Sequence, residues 1–323
     1  MLAEVWPFVR ACRADGQPVA LARVVERSGT AGRPVGATMA VAGDGRWSGS
    51  VAGGCVDGDV LLAAAAVLSG EPPTMLRCEL GPQARPSWEA GPACTGGITV
   101  LVAPLFDENL CAAVDVALEA APTENAAPAP LLLRTQLSSP YGTSFGGRPG
   151  ADIMVDEIRP GPRMVIVGAT DVAMSLSAFA AAAGFRVVVL EPRPAYASAD
   201  RVPGATLVRA WPSSWLGSHR LGAEDALVAL THEPRLDDAA LVQALLGDCG
   251  YVAAIGSRAT HQERLARLAH IPGVDRIHGP AGLDLGGESS AVTALSLLAE
   301  AVAVHNGRSG GPLLQLTGPV HAR

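Results

Sequence analysis

Apolar and polar positions are spaced in two different ways along the 323-residue chain. In the first half, short apolar runs broken by turn residues predict a mixture of strands and helices. Val19 to Glu26 and Val35 to Ala42 read as strands. Gly43-Asp44-Gly45 is a turn signal, and Arg46 to Val51 reads as the return arm of a hairpin. Gly53-Gly54-Cys55 leads into an Ala-rich helix from about 56 to 68, which Gly70-Glu71-Pro72-Pro73 ends. A loop rich in Gly and Pro runs from Gly81 to Gly97. Ile98 to Ala103 then reads as a strand, 108–119 as a helix and Leu131 to Arg134 as a short strand.

The second half alternates strand and helix. Arg163 to Val167 reads as a buried strand, 171–183 as a helix and Arg186 to Leu190 as the next strand. Ala226 to Leu230 and Tyr251 to Ile255 are further apolar strands, each followed by a helical pattern. Such alternation calls for parallel pairing through right-handed crossovers. The expected fold is α/β: a mixed N-terminal domain over 1–137, then a Rossmann-like doubly wound parallel sheet over 163–306. The polar, Gly- and Pro-rich stretch 138–162 is expected to be a linker, and 307–323 a flexible tail.

Composition narrows the chemistry. All 24 basic residues are arginine. Without lysine there can be no lysine Schiff base and no Walker-type phosphate loop, and the fixed cationic contacts to phosphate fall to arginine. A net charge of −7 argues against a nucleic-acid binder. The longest apolar stretch, Val172 to Leu190, is interrupted by Gly184 and Arg186 and does not read as a membrane span. The start of the chain, with Glu4 and Arg10, does not read as a secretory signal. The six cysteines are scattered and form no C-x-x-C pair, which fits a reducing cytoplasm better than a disulfide or zinc scaffold.

The first Rossmann turn reads Gly168-Ala169-Thr170-Asp171-Val172-Ala173. A dinucleotide fingerprint has glycine at the first and third of these places, and Thr170 stands at the third. Asp171 is expected to cap the helix itself and to repel a pyrophosphate there. Glu191 follows Gly168 at about the spacing of a ribose-binding acid. NAD(P) binding is therefore weakened but not excluded. Other turns add His232 in Thr231-His232-Glu233-Pro234, Arg258 in Gly256-Ser257-Arg258, and Asp284 in the loop before the last helix. In open α/β sheets these positions gather at the strand carboxyl ends, where ligands bind.

The first half has its own candidates. Cys55 follows Gly53-Gly54 at a helix start, where the helix dipole favours a thiolate, although Asp57 in the same turn opposes this. Cys94 lies next to Gly96-Gly97. Glycines beside a cysteine let a bulky group approach its sulfur. Ordinary buried thiols are the competing reading. Arg33 follows a further glycine loop as a fixed positive charge, or as part of a solvated turn.

Taken together, these motifs resemble the XdhC/CoxI family, the accessory proteins of xanthine dehydrogenase and carbon monoxide dehydrogenase. The resemblance runs through Gly32-Arg33-Pro34-Val35-Gly36-Ala37, Gly49 to Asp57 and Cys94-Thr95-Gly96-Gly97. It continues through Thr231 to Pro234, Gly256-Ser257-Arg258 and Gly282-Leu283-Asp284-Leu285-Gly286. Three blocks depart from the family pattern. Asp57 replaces a glutamate, Thr170-Asp171 replaces Gly-His, and Ser289-Ser290-Ala291 replaces Thr-Pro-Glu.

The resemblance implies a maturation chaperone for molybdenum hydroxylases rather than a turnover enzyme. Such a protein holds the molybdenum cofactor, supports its sulfuration and delivers it to an apo-enzyme. A cysteine desulfurase would be a further partner, and a homodimer is an implied assembly. Cys55, Asp57 and Cys94 would be the reactive residues. Arg33, Gly53, Gly54, Gly96, Gly97, Gly168, Glu191, Arg193, His232, Gly256, Ser257, Arg258 and Asp284 would hold the cofactor. Two other classes stay open: an NAD(P)-dependent oxidoreductase, and a docking module that binds no cofactor.

Overall fold

Helix α1, Leu2–Ala14, opens the chain and buries Leu2, Val5, Trp6, Val9 and Cys12, the three- and four-residue spacing of one helix face. The sequence pattern alone did not single it out, because Pro7 lies inside it. The computed structural model describes residues 1–29, 33–54, 56–80, 96–120, 129–146, 148, 150, 152–315 and 317. The chain forms two compact units, Met1–Ala120 with Ala129–Pro160, and Gly161 onward.

In the first unit, α1 is followed by β1 (Val19–Arg27), β2 (Thr38–Ala42), β3 (Trp47–Gly49), α2 (Asp57–Leu68), β4 (Thr74–Leu80) and β5 (Gly96–Pro104). Then come α3 (Glu108–Glu119), β6 (Leu131–Gln136), β7 (Gly142–Phe145) and β8 (Ile153–Ile158). Five strands make an antiparallel sheet in the order β3-β2-β1-β5-β4. It is covered on both faces, so β1 is buried on both sides from Val19 to Val24 and is apolar there except at Arg23. Ala20, Ala22 and Val24 pack with Val60, Ala64 and Val67 of α2. Val19 and Leu21 face the other way, toward Trp6 and Val9 of α1 and Leu110 and Val114 of α3.

Residues 138–162 are not a bare linker, contrary to the expectation from sequence. They carry β7 and β8, which flank β6 in a three-stranded antiparallel sheet. The reason for the difference is exposure: β7 is largely solvated, so its polar residues give no core signal. A buried contact ties this small sheet to the large one. Arg23 of β1 donates to Thr135 Oγ1 at 2.8 Å and pairs with Asp156. Burial pulls the Arg23 pKa down to about 9.

The second unit contains β9 (Arg163–Val167), α4 (Asp171–Ala182), β10 (Arg186–Leu190), β11 (Ala205–Val208), α5 (Pro212–Ser218) and β12 (Ala226–Ala229). It continues with α6 (Pro234–Leu246), β13 (Tyr251–Ala254), α7 (Arg258–Arg267), β14 (Ile277–His278) and α8 (Ser290–His305). Six parallel strands run in the order β11-β10-β9-β12-β13-β14. Leu176 and Ala180 of α4 with Leu297 and Ala301 of α8 cover one face. Leu216 of α5 with Leu241 and Leu245 of α6 cover the other. This is the doubly wound Rossmann-like sheet expected from the strand–helix alternation. The chain winds outward from β9 to β11 and then resumes on the far side of β9 at β12. The topological switch point therefore lies between β9 and β12, the usual place for a ligand crevice.

Candidate functional site

In the first unit, β1 and β3 end, and β2 and β5 begin, at the same end of the large sheet, as the pairs Arg27–Ile98, Arg23–Thr38 and Met39–Gly49 require. Gly96 opens β5 at φ 130°, and a Cβ there would lie 2.0 Å from the Ser28 carbonyl oxygen. Only glycine allows that approach. Ser28 and Gly97 then exchange bonds: Gly97 N donates to Ser28 Oγ at 2.9 Å, and Ser28 N donates to Gly97 O at 2.8 Å. The other glycine turn is shaped by Ser50 Oγ, which accepts from Gly53 N at 2.7 Å. Gly53 and Gly54 have positive φ, and among the described residues none but their chain neighbours comes within 4 Å of where a Cβ would stand.

Asp57 sits behind this turn, mostly buried, and accepts from Val51 N at 3.3 Å. Its geometry is that of a turn holder. Arg33 joins the same region through its backbone N–H to Val51 O at 3.3 Å, while its guanidinium bonds Glu4 at 3.0 Å. The glycine turns and the Arg33 loop thus share one sheet end. Cys55 and Cys94 lie outside the described residues.

In the second unit, the first turn differs from the sequence expectation in one respect. Thr170, not Asp171, caps α4: its side chain accepts from Ala173 N at 3.3 Å. Thr170 has the extended backbone of a cap, whereas Asp171 is already helical and turns outward to Arg201 at 2.7 Å. Gly168 is held at φ 97°, and a Cβ on it would meet Thr231 Cγ2 at 2.4 Å.

Glu191 is fully buried. Both its oxygens are engaged, by Arg193 Nε and Nη2 at 2.8 Å each, by Arg193 N at 2.9 Å and by Ala169 N at 3.0 Å. Burial raises its pKa, but these donors together outweigh that and hold it below the usual carboxylate value. The acid in the ribose-binding position is therefore occupied by the protein itself. Arg193 lies over the Tyr196 ring at 4.4 Å and approaches Glu233 at 3.8 Å. Its contacts link the turns after β10 and β12 across β9.

His232, after β12, is exposed and has φ 59°. One strand further on, Gly256 has φ 142°, and Ser257 caps α7 by accepting from Thr260 N at 3.1 Å. Arg258 is exposed in the first turn of α7, with no carboxylate partner among the described residues. Asp284 is exposed in the loop after β14. Gly168, Glu191, Arg193 and His232 thus cluster at the switch point, while Gly256-Ser257-Arg258 and Asp284 sit at the ends of β13 and β14.

Sequence reasoning passed over the buried polar residues that hold these turns. Asp237 accepts from Thr231 N and Oγ1 at 3.2 and 2.6 Å, and burial raises its pKa. Arg264 is buried and donates to Ile255 O at 3.0 Å. Glu300 accepts from Tyr251 Oη at 2.6 Å and Gly282 N at 2.7 Å, and pairs with His278 at 3.1 Å. An acid in a first helical turn, as at Asp237, was the one available signal. Among the described residues, no His, Cys, Asp or Glu group is arranged to hold a metal ion, and no helix is long and apolar enough to cross a membrane.

Comparison with known proteins adds to this geometry. Residues 12–78 match the XdhC and CoxI family, and residues 164–301 match the XdhC Rossmann domain. A Bacillus subtilis protein described as a probable subunit of xanthine dehydrogenase is 27% identical over 314 residues, covering 89% of this chain and 93% of its own. The molybdenum cofactor insertion chaperone PaoD of Escherichia coli is 28% identical over 297 residues, covering 90% of this chain and 84% of its own. A solved structure, described as a xanthine dehydrogenase from Bacillus halodurans, superposes with a TM-score of 0.77. It is 20% identical and covers 94% of this chain and 96% of that one, a likeness of fold.

Proposed function

Because the chain belongs to the XdhC and CoxI family, we propose that it matures a molybdenum hydroxylase: it takes the molybdenum cofactor as cargo, supports its sulfuration and hands it to the apo-enzyme. The carrying observation is the gathering of glycine turns at one end of the first sheet. Among the described residues nothing fills the space beside Gly53 and Gly54, and Gly96-Gly97 are fixed by Ser28. Cys55 and Cys94 are the chain neighbours of these turns and would meet the sulfur or molybdenum end of the cargo. The name of the Escherichia coli relative, a molybdenum cofactor insertion chaperone, supports the maturation role.

The donor set of the second unit fits an anionic ligand better than a dinucleotide. With no lysine in the chain, permanently charged contacts to phosphate fall to arginine, beside backbone N–H groups and hydroxyls. Arg258, exposed at the start of α7, is the best placed, with Ser257 and Gly256 beside it. Glu191 would act through Arg193 rather than on a ribose. A cysteine desulfurase would supply sulfur, the client would be the apo-hydroxylase, and the work would be done in the cytoplasm, as a monomer or a homodimer.

The test is to co-express the chain with cofactor-synthesis genes, purify it, and measure bound molybdenum and pterin. Both should be retained. A preparation that holds neither, while a related family protein treated alike holds both, overturns cargo carriage and leaves the docking function without cofactor.

A further inference from the structure

We infer that the second unit presents His232 to its ligand from a strained backbone, and that buried Asp237 is the residue that positions it. The inference rests on the cargo-carrier reading and deepens it. His232 is the one non-glycine residue among those described with positive φ, at 59°. A side chain in this left-handed region is disfavoured, and glycine would hold the same turn with less strain. Histidine is among the residues found there more often than most, yet such outliers concentrate at functional sites.

The frame around His232 is rigid. Asp237, in the first turn of α6, is 2% exposed. Its Oδ1 accepts from Thr231 N and Thr231 Oγ1, the residue just before His232. Thr231 Oγ1 in turn accepts from Glu233 N at 3.0 Å. The peptides that precede Thr231 and follow His232 are thereby fixed. Thr231 Cγ2 fills the space beside Gly168 where a Cβ would stand, which locks this turn against the first Rossmann turn.

The imidazole itself is used by nothing else: it is exposed and has no partner among the described residues. It stands at the carboxyl end of β12, next to the switch point, and the following residue, Glu233, reaches the Arg193 guanidinium at 3.8 Å. An exposed imidazole N–H in the turn that Arg193 reaches through Glu233 suits an anionic oxygen, such as a phosphate on the cargo. The fold would be served by glycine here, so the histidine side chain is there for the ligand.

The experiment uses the full chain, co-expressed with cofactor synthesis, with melting temperature and bound molybdenum and pterin as readouts. His232→Gly should melt at or above the wild-type temperature and lose about tenfold or more of its cargo affinity. His232→Asn, which keeps a residue tolerant of positive φ, should lose cargo as well. Asp237→Asn should lower loading, and adding it to His232→Gly should lower loading no further, since it acts through His232. Should Asp237→Asn not fold, Thr231→Val removes one link of the frame, and unchanged loading in it overturns the positioning role. Full loading of His232→Gly, or a lower melting temperature for it, overturns the role of His232 while the carrier reading stands. A wild-type chain that carries no cargo overturns both.

Discussion

Arg193 forks onto Glu191, with Nε on one carboxylate oxygen and Nη2 on the other at 2.8 Å each, at the end of β10. Two residues of one short segment thus satisfy each other where a dinucleotide-binding fold offers a free acid to a ribose. Calorimetric titration of the protein with NAD or NADP should give no saturable heat. Tight binding of either would restore the oxidoreductase reading.

Removing the arginine should be costly. Arg193→Ala leaves a fully buried carboxylate with only its backbone donors, which should destabilise the second unit by roughly 2–3 kcal/mol. The folded pKa of Glu191 lies below its ordinary 4.5, so its stabilising contribution is complete above about pH 4.5 and is lost as pH falls through the lower folded value. Thermal melts at pH 7 and across pH 5 to about 3 should show a deficit for the variant at neutral pH that shrinks in acid.

Asp115 makes a parallel case in the first unit. It accepts from Trp6 Nε1 at 2.7 Å, Arg10 Nε at 2.5 Å and Arg13 Nη1 at 2.9 Å, joining α1 to α3. Burial raises its pKa, but these three donors outweigh that and bring it down to about 2 from 3.8. Its contribution, about 2 kcal/mol, should be present above pH 3.8 and fade as pH falls toward about 2. Asp115→Asn should melt lower at neutral pH and lose the wild type's acid dependence in that window.

The glycines at the first sheet's loop end should separate by cause. Gly96→Ala meets the Ser28 carbonyl oxygen and breaks the Ser28–Gly97 exchange, so a loss of roughly 3 kcal/mol is expected in denaturant unfolding. Among the described residues Gly54→Ala meets only an unfavourable φ of 109° and no clash, and it should lose about 1–2 kcal/mol. If the space beside Gly54 admits cargo, Gly54→Ala should lower molybdenum loading by more than its stability loss explains.

Cys55→Ser and Cys94→Ser should each reduce activation of a co-expressed molybdenum hydroxylase without lowering the yield of the accessory chain. A hydroxylase fully active alongside both variants would favour docking without cofactor contact.

Strand–helix alternation made the second unit's sheet readable, because each parallel strand is a short apolar run buried on both faces. The small sheet of the first unit was harder: β7 is solvated, and its pairing with β6 leaves no hydrophobic alternation to read. The candidate site was readable at its glycines, whose positive φ or close contacts admit little else, and at Glu191 by spacing. Its anchors were not. Asp237, Glu300 and Ser28 are ordinary polar residues until the fold places backbone donors around them.

Local composition and periodicity were enough to establish three things. No lysine is available to any ligand, two cysteines adjoin glycine turns, and the second half winds as a Rossmann-like sheet. Three others needed the folded chain. Glu191 is already bound by Arg193, Thr170 rather than Asp171 caps α4, and His232 is left-handed in a turn where Asp237 holds Thr231. Each of those depends on which donors reach an acceptor oxygen, and that is set by how the turns at the strand ends pack together.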